Sequence, residues 1–294
     1  MKRLAIATFV LAGALLVGCT PVTPPPNNGP GPSVITSPSV TPSSTVVPTT
    51  TPSAAPVLVR VYFVLGADRT QPFLRELPAG TKATLKGALL ELLNGPDSSE
   101  SSAGFDTAIP EGTALRSVRV SGTTAIIDLS LEYAKDGGAA AVFIRLDQVV
   151  YTATQFSTVK KVRFLIGGKT VKVFTGEGVM LDRPQARTGS DYAIPPIFVD
   201  NPAWMATVKT GTVARGTANV FEAVFHLQLR DVTGKLLVNK TVHATSGTGT
   251  RGTWSKKLTW TAAQTGVGEL RVFSESAKNG KAINIIKIPV VISD

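Results

Sequence analysis

From residue 57 to residue 93 the spacing of apolar side chains changes from every second position to one face of a helix. Alternation from Val57 to Leu65 predicts a β-strand, and a second short strand is predicted from Phe73 to Leu77. Helical spacing then begins near Thr81, with apolar residues at Leu85, Ala88, Leu89, Leu92 and Leu93. Asn94-Gly95-Pro96 is expected to end this helix, because glycine accepts a left-handed cap and proline cannot continue the helix.

The following segments add a hairpin, a second helix and a closing hairpin. Ser117 to Val120 and Thr124 to Leu129 flank a Ser-Gly-Thr turn, which predicts antiparallel pairing. One helical face carries Val142, Phe143, Leu146, Val149, Val150, Ala153 and Phe156. A last hairpin turns at Gly167-Gly168, with alternation at Val162, Phe164, Ile166, Val171 and Val173. Because strands and helices mix without strict βαβ alternation, residues 57–190 are predicted to form an α+β domain.

Residues 191–294 show strand patterns and turn residues without a helical period. Apolar residues alternate with mostly polar ones at Phe221, Ala223, Phe225, Leu227 and Leu229, which predicts one strand across the whole of residues 221–230. The turn Asp231 to Gly234 leads into a strand at Lys235 to Val242, and later strands are expected near Trp254, at Gly268 to Phe273 and at Ile283 to Val291. About seven short strands predict an all-β sandwich.

The N-terminal sequence is typical of an export signal. Lys2 and Arg3 precede an apolar stretch from Leu4 to Val17, so residues 1–18 are predicted to be a signal peptide. Leu16-Val17-Gly18-Cys19 resembles the lipobox of bacterial lipoproteins. That resemblance implies cleavage before Cys19, a thiol that carries diacylglycerol, and an N-terminal fatty acid such as palmitate. Several acyl chains together give a stable anchor, so the resemblance implies an extracytoplasmic lipoprotein of the cell membrane or outer membrane.

Residues 19–56 are predicted to be a disordered stalk. The first 56 residues contain 11 of the 20 prolines and no Asp or Glu, and Thr20 to Pro56 carries no charge. Such a composition cannot bury enough apolar surface to offset the entropy of ordering. At about 3.1 Å per residue, the stalk would reach on the order of 100 Å from the membrane.

Both folded segments resemble domains of bacterial spore-germination proteins. Residues 57–190 resemble the GerMN domain at Val61-Tyr62-Phe63, Arg75-Glu76-Leu77-Pro78, Leu92-Leu93-Asn94-Gly95-Pro96, Ala108-Ile109-Pro110-Glu111-Gly112-Thr113, Ile126-Ile127-Asp128-Leu129-Ser130 and the run from Gln148 to Phe156. Residues 191–294 resemble the immunoglobulin-like domain that commonly follows it, at Val213 to Ala223, Gly252-Thr253-Trp254, Gly268-Glu269-Leu270 and Ile288-Pro289-Val290. These resemblances imply an α+β domain followed by an all-β immunoglobulin-like sandwich, a role in envelope assembly, and no catalytic motif.

The folded segments are basic. Residues 57–190 hold 16 Lys and Arg against 13 Asp and Glu, and residues 191–294 hold 12 against 7, giving net charges of +3 and +5. Lys161, Arg163 and Lys172 are predicted to share the solvent side of the closing hairpin. Such a ribbon suits acidic lipid headgroups, an anionic wall polymer or an acidic envelope protein, although an ordinary charged solvent face is the favoured explanation. Nucleic acid is not an expected partner of an exported lipoprotein.

The candidate chemistry is sparse. The only histidines, His226 and His243, offer neither a catalytic triad nor a metal-ligand spacing, and Glu111, Asp128 and Glu222 suit a turn, a strand end and a surface strand. We therefore expect a non-enzymatic interaction module with no cofactor and no metal. A cell-wall hydrolase, which needs two close carboxylates, is a weaker alternative.

A wall-polymer binding module is the main alternative, since stacking on sugars requires exposed aromatic residues. Trp204, Trp254 and Trp260 are the only tryptophans, and the even spacing of Trp254 and Trp260 near a strand predicts that both share one face, which is either core or surface. Tyr151 and Gln155 flank the apolar stripe of the second helix. They are candidate contact residues, with helix packing and a local side-chain hydrogen bond as the alternative.

Overall fold

A computed structural model describes residues 55–66, 69–135, 137–174, 176, 178–187 and 194–293. The signal peptide, Cys19 and all of the stalk except its last two residues lie outside the described residues. In the first domain, the elements are β1 (Val57–Leu65), β2 (Arg69–Leu77), α1 (Thr84–Leu93), α2 (Ser98–Ser102), β3 (Phe105–Asp106), β4 (Leu115–Ser121), β5 (Thr124–Leu129), a short 3-10 helix (Leu131–Ala134), α3 (Gly138–Ala153), β6 (Lys161–Ile166), β7 (Lys169–Thr170), β8 (Val173–Phe174) and β9 (Val179–Met180).

Two sheets and two longer helices enclose the core of this domain. β1 pairs antiparallel with β2 along its whole length and with β3 at its end, in the order β2-β1-β3. The second sheet has the order β4-β5-β6-β7, with β5 and β6 parallel. Its inward residues pack against α3, and the core includes Phe63, Leu89, Ile127, Val149 and Phe164. The predicted α+β class is therefore confirmed.

Local signals explain where the helices begin and end. α1 stops at Asn94, and Gly95 follows with a φ of +78°, a left-handed conformation that glycine adopts without strain. α2 begins with a capping box, in which Asp97 accepts from the backbone N–H groups of Ser99 and Glu100 while Glu100 accepts from that of Asp97. These hydrogen bonds lower the pKa of the Asp97 carboxyl.

The closing hairpin is shorter than predicted. β6 pairs with β7 only at Leu165 with Thr170 and at Ile166 with Lys169. The chain then leaves the sheet, and Val173 pairs instead with Met180 in the separate β8-β9 hairpin. The prediction that Val171 and Val173 continue the same hairpin is therefore wrong, because Val173 pairs in a different hairpin and Val171 lies between β7 and β8.

The second domain is a sandwich of two sheets. Its elements are β10 (Ile197–Asn201), β11 (Thr207–Val208), β12 (Val213–Ala218), a 3-10 turn (Phe221–Ala223), β13 (Val224–Arg230), β14 (Leu236–His243), β15 (Gly252–Lys257), β16 (Gly266–Glu275) and β17 (Ala282–Ile292). The sheet orders are β10-β12-β15 and β11-β17-β16-β13-β14. Their inner faces share one core, which includes Val199, Phe225, Trp254, Leu270 and Ile288, as the sequence predicts for a sandwich.

One predicted strand begins later than expected. Glu222 and Ala223 have φ angles of +52° and +58°, so the chain turns there and β13 starts at Val224. Phe221, which the alternation placed on the buried face, is 60% exposed. The apolar and polar residues still alternate at Glu222 and Ala223, although the backbone there forms a turn and not an extended strand.

Segment 201–208 follows β10 within the second domain and makes backbone hydrogen bonds to both domains. Trp204 donates its backbone N–H to the Pro72 carbonyl of β2, and its ring packs against Phe105 at a centroid distance of 4.8 Å. On the other side, β11 pairs in parallel with β17. This segment is therefore an ordered strap, and the two domains form one compact unit.

Candidate functional site

The exposed side of the β4-β5-β6-β7 sheet carries the predicted basic residues. Val162, Phe164 and Ile166 of β6 face the core, so the alternating Lys161 and Arg163 face away from it. The strand register places Arg119 of β4 opposite Ile126, and Ile126 opposite Arg163. Because neighbouring strands lie about 4.8 Å apart, the backbones of the two arginines are about 10 Å apart. We call Arg119, Lys161 and Arg163 the basic sheet face.

These three cations lack an ion-pair partner among the residues that the structure describes. Asp128, the acidic residue on the same side of β5, is 7% exposed and already engaged. Its carboxylate accepts from the side-chain Nε of Arg116 at 3.2 Å and from the backbone N–H of Gly168 at 2.9 Å. The basic sheet face therefore presents positive charge that no described carboxylate neutralises.

Lys172 does not belong to this face. It is exposed, but it lies between β7 and β8, and its carbonyl accepts from the backbone N–H of Leu181. The predicted ribbon of Lys161, Arg163 and Lys172 is thus reduced to the two β6 residues. Arg119, which sequence reasoning missed, joins them through the strand register.

Tyr151 lies on α3 and Gln155 follows the end of this helix, both beside β1. The amide of Gln155 accepts from the backbone N–H of Arg60 and donates to its carbonyl, both at 2.7 Å. Gln148, two helical turns earlier, donates to the Tyr62 carbonyl and accepts from the Ala108 N–H, both at 2.8 Å. Three of these four hydrogen bonds go to backbone groups of β1, at Arg60 and Tyr62, where β3 does not pair with it. Tyr151 is 1% exposed, so it is a packing residue with no free surface for a partner.

The junction between the domains is built on a buried tyrosine. The Tyr62 hydroxyl donates to Asp200 at 2.5 Å, and Arg187 donates to the same Asp200 oxygen at 3.2 Å. Burial, followed by the nearby Asp200 carboxylate, raises the pKa of the Tyr62 phenol, so this hydroxyl remains a donor. Burial opposes the charge of Arg187, but Tyr62 and Asp200 outweigh it and raise the pKa of the guanidinium.

An aromatic cluster surrounds this polar group. Phe198 of β10 packs against the rings of Tyr62 and Tyr151 at 6.4 and 5.4 Å, and Ile194 completes the buried cluster. Arg187 lies over the Tyr151 ring at 4.5 Å and donates to the Tyr151 carbonyl. Charge, hydrogen bonds and apolar contact therefore couple the two domains at one place.

The three tryptophans do not form an exposed stacking platform. Trp254 is 4% exposed, packs edge-on against Phe225, and donates its indole N–H to the Phe198 carbonyl at 3.2 Å. The prediction of Trp254 as a sugar-stacking residue is wrong because its ring is buried in the core of the sandwich. Trp260 is half-buried against the same core, and Trp204 is half-buried at the strap.

The remaining titratable residues are dispersed. His226 contacts Glu275 at 3.3 Å and packs beside Phe273, whereas His243 lies at the end of β14. Glu111 and Glu222 are exposed in turns. Within the described ranges no three His, Cys, Asp or Glu residues come together as a candidate metal site.

A groove of about 610 Å³ lies between α3 and residues 178–186. Asp147 and Asp182 both line it, beside Arg183, Phe143 and Val179. Asp147 and Asp182 make this groove one place where the hydrolase alternative can be tested.

The class defined by this fold is a two-domain protein in which an α+β domain is locked to an immunoglobulin-like sandwich. Residues 60–172 match the Germane family, described as sporulation and spore germination, and residues 196–281 match Gmad2, the immunoglobulin-like domain of bacterial spore germination. The chain therefore contains a GerMN (Germane) domain followed by a Gmad2 domain. A comparison with curated proteins found no match.

Three solved structures are similar to this chain. The first GerMN domain of the sporulation protein GerM from Bacillus subtilis is 28% identical, with 45% of this chain and 98% of that one covered and a TM-score of 0.39. The tandem GerMN domains of GerM are 19% identical, with coverages of 64% and 60% and a TM-score of 0.39. A candidate lipoprotein from Clostridium perfringens is 21% identical, with coverages of 45% and 89% and a TM-score of 0.33. Across the described residues, none of the helices has the length and apolar character needed to span a membrane.

Proposed function

We propose that this chain is an extracytoplasmic lipoprotein, anchored through acylated Cys19, that acts as a non-enzymatic interaction module in envelope or sporulation-related assembly. The observation that carries the proposal is the basic sheet face, whose three cations have no ion-pair partner among the described residues. The sporulation and spore-germination descriptions of its two domain families support this setting.

An acidic protein surface is the partner that this face fits best. Ile126, which lies between Arg119 and Arg163 in the strand register, and Leu165, the next outward residue of β6, are both half-buried, so the face combines apolar contact with charge. Fixed charges of one sign raise the rate at which an oppositely charged partner associates, by roughly 10- to 1,000-fold. A tether adds to this effect because it keeps the module near other membrane proteins, so weak contacts suffice.

The anchor is tested by cell fractionation. We expect the full-length protein to remain with membranes after washing with high salt, because acyl chains and not charge hold it there. Replacement of Cys19 by Ala should release the protein from this fraction. Retention of the Cys19→Ala variant in the salt-washed membranes would overturn lipid anchoring.

The interaction surface is tested by crosslinking in the native envelope, followed by mass spectrometry of what attaches to residues 57–294. The test variant carries Arg119→Glu, Lys161→Glu and Arg163→Glu. A charge-matched control carries Lys240→Glu, Lys278→Glu and Lys281→Glu, three exposed positions of the sandwich. We expect reproducible crosslinks to one envelope protein that weaken at least tenfold in the test variant only.

Other outcomes would overturn parts of this proposal. Equal loss in both variants would mean that net charge acts without a defined surface, and glycan alone among the crosslinked products would favour wall-polymer binding. The hydrolase alternative is tested by incubating the protein with purified peptidoglycan. Release of soluble fragments that is lost in Asp182→Asn would overturn the non-enzymatic assignment.

A further inference from the structure

A second basic groove, separate from the basic sheet face, lies beside the domain junction. It has a volume of about 500 Å³, within the range of small-ligand sites, and it is open along one side. Residues on the outer side of the β10-β12-β15 sheet form its floor, and Arg187 and His243 also line it. We call it the junction groove.

The charge of the junction groove is positive. Arg187 and Arg215 line it, and Asp200 is the only acidic residue among its described lining residues. That carboxylate already accepts from the Tyr62 hydroxyl and from Arg187. Arg215 is exposed on β12 and has no ion-pair partner among the described residues, so its guanidinium is available to an anion.

The floor carries neutral hydrogen-bonding groups in register with this arginine. Arg215 is paired across strands with Ser255, and the next outward row pairs Thr217 with Thr253. Successive outward rows of a sheet are about 7 Å apart. A monosaccharide has about this width, so a ring whose acidic group meets Arg215 would place its hydroxyls over the two threonines.

We propose that the junction groove binds a saccharide that carries a carboxylate. Arginine pairs with a carboxylate through two parallel hydrogen bonds, and hydroxyl side chains both donate to and accept from sugar hydroxyls. A neutral sugar would leave Arg215 unpaired, and an anion without hydroxyls would leave the threonine row unused. The site differs from the basic sheet face, so either proposal can fail without the other.

The test measures binding of N-acetylmuramic acid to the full-length protein in detergent micelles, by ligand-observed NMR. N-acetylglucosamine, the matched sugar without the carboxylate, serves as the comparison ligand. We expect the acidic sugar to bind at least tenfold more tightly, and Arg215→Gln to remove this preference, because hydrogen bonds between charged groups are stronger than those between neutral groups. Thr217→Val should weaken both sugars.

Arg119→Gln, which removes the same charge from the basic sheet face, is the control and should bind the acidic sugar like the wild type. The unfolding midpoint of each variant shows whether the exposed substitution preserved the fold. Equal binding of the two sugars, an unchanged preference in Arg215→Gln at an unchanged midpoint, or loss of binding in Arg119→Gln would each overturn the proposal. Competition by inorganic phosphate but not by acetate would assign the groove to phosphate instead.

Discussion

Replacement of Phe198 by Ala should uncouple the two domains. The Phe198 ring is 1% exposed and lies on the outer side of β10, where it contacts Tyr151 and Tyr62 of the first domain. Removing a buried Phe side chain costs roughly 3–5 kcal/mol of unfolding free energy. Two aromatic contacts account for about 0.5–1.5 kcal/mol each. Much of the loss should therefore appear as weaker coupling across the junction.

The control for this prediction is Phe225→Ala, which removes a fully buried ring of the same size from inside the sandwich. Hydrogen exchange followed by mass spectrometry distinguishes the two variants, with urea unfolding to measure total stability. We expect Phe198→Ala to speed exchange in β1 and the second half of α3, and Phe225→Ala to act mainly on residues 224–292. Equal exchange of β1 in the two variants would refute the assignment of Phe198 to the coupling.

Three further predictions concern single residues. Gly216→Ala should cost about 3 kcal/mol or more in urea unfolding, because the added Cβ would lie 1.9 Å from the Phe198 carbonyl oxygen; a smaller loss would show that strands β10 and β12 can move apart. Gln148→Leu should lower the unfolding free energy by about 1–3 kcal/mol for each backbone group it leaves unpaired, and an unchanged urea midpoint would contradict this. Asp231→Asn tests how far this carboxyl group determines the pH dependence of stability. Hydrogen bonds, first from the Thr233 hydroxyl, lower the pKa of this carboxyl, so its stabilisation is present above its unfolded pKa of about 3.9 and lost as pH falls. The variant should therefore show a flatter decline of melting temperature below about pH 4, and a parallel decline would contradict the linkage.

Local patterns predicted much of the fold. β1 occupies the predicted residues, and the first helix ends at Asn94 as its glycine and proline signals require. Predictions failed where the pattern of residue types did not report backbone conformation. The alternation through Glu222 and Ala223 continues across a left-handed turn, and that at Val173 belongs to another hairpin.

The junction could not be predicted from the sequence, because it depends on distant pairs. Tyr62 meets Asp200 across 138 positions, and Gln148 meets the carbonyl of Tyr62 across 86. No periodic signal marks such pairs, since each residue is also compatible with an exposed position on its own element. Arg119 joined the basic sheet face for a related reason, because only the strand register brings β4 beside β5 and β5 beside β6.

The position of β1 has a mechanical consequence. Pairing with β2 holds β1 along nine residues, and the amides of Gln148 and Gln155 hold its other edge. Val57 directly follows the predicted stalk, so tension from a membrane anchor would enter the folded protein through this strand. A pull along the strand axis would load these hydrogen bonds together, and the survival of the domain under force would follow its unfolding rate and not its equilibrium stability. The strand that receives the load also carries Tyr62, so the same pull would reach the sandwich through the bond to Asp200.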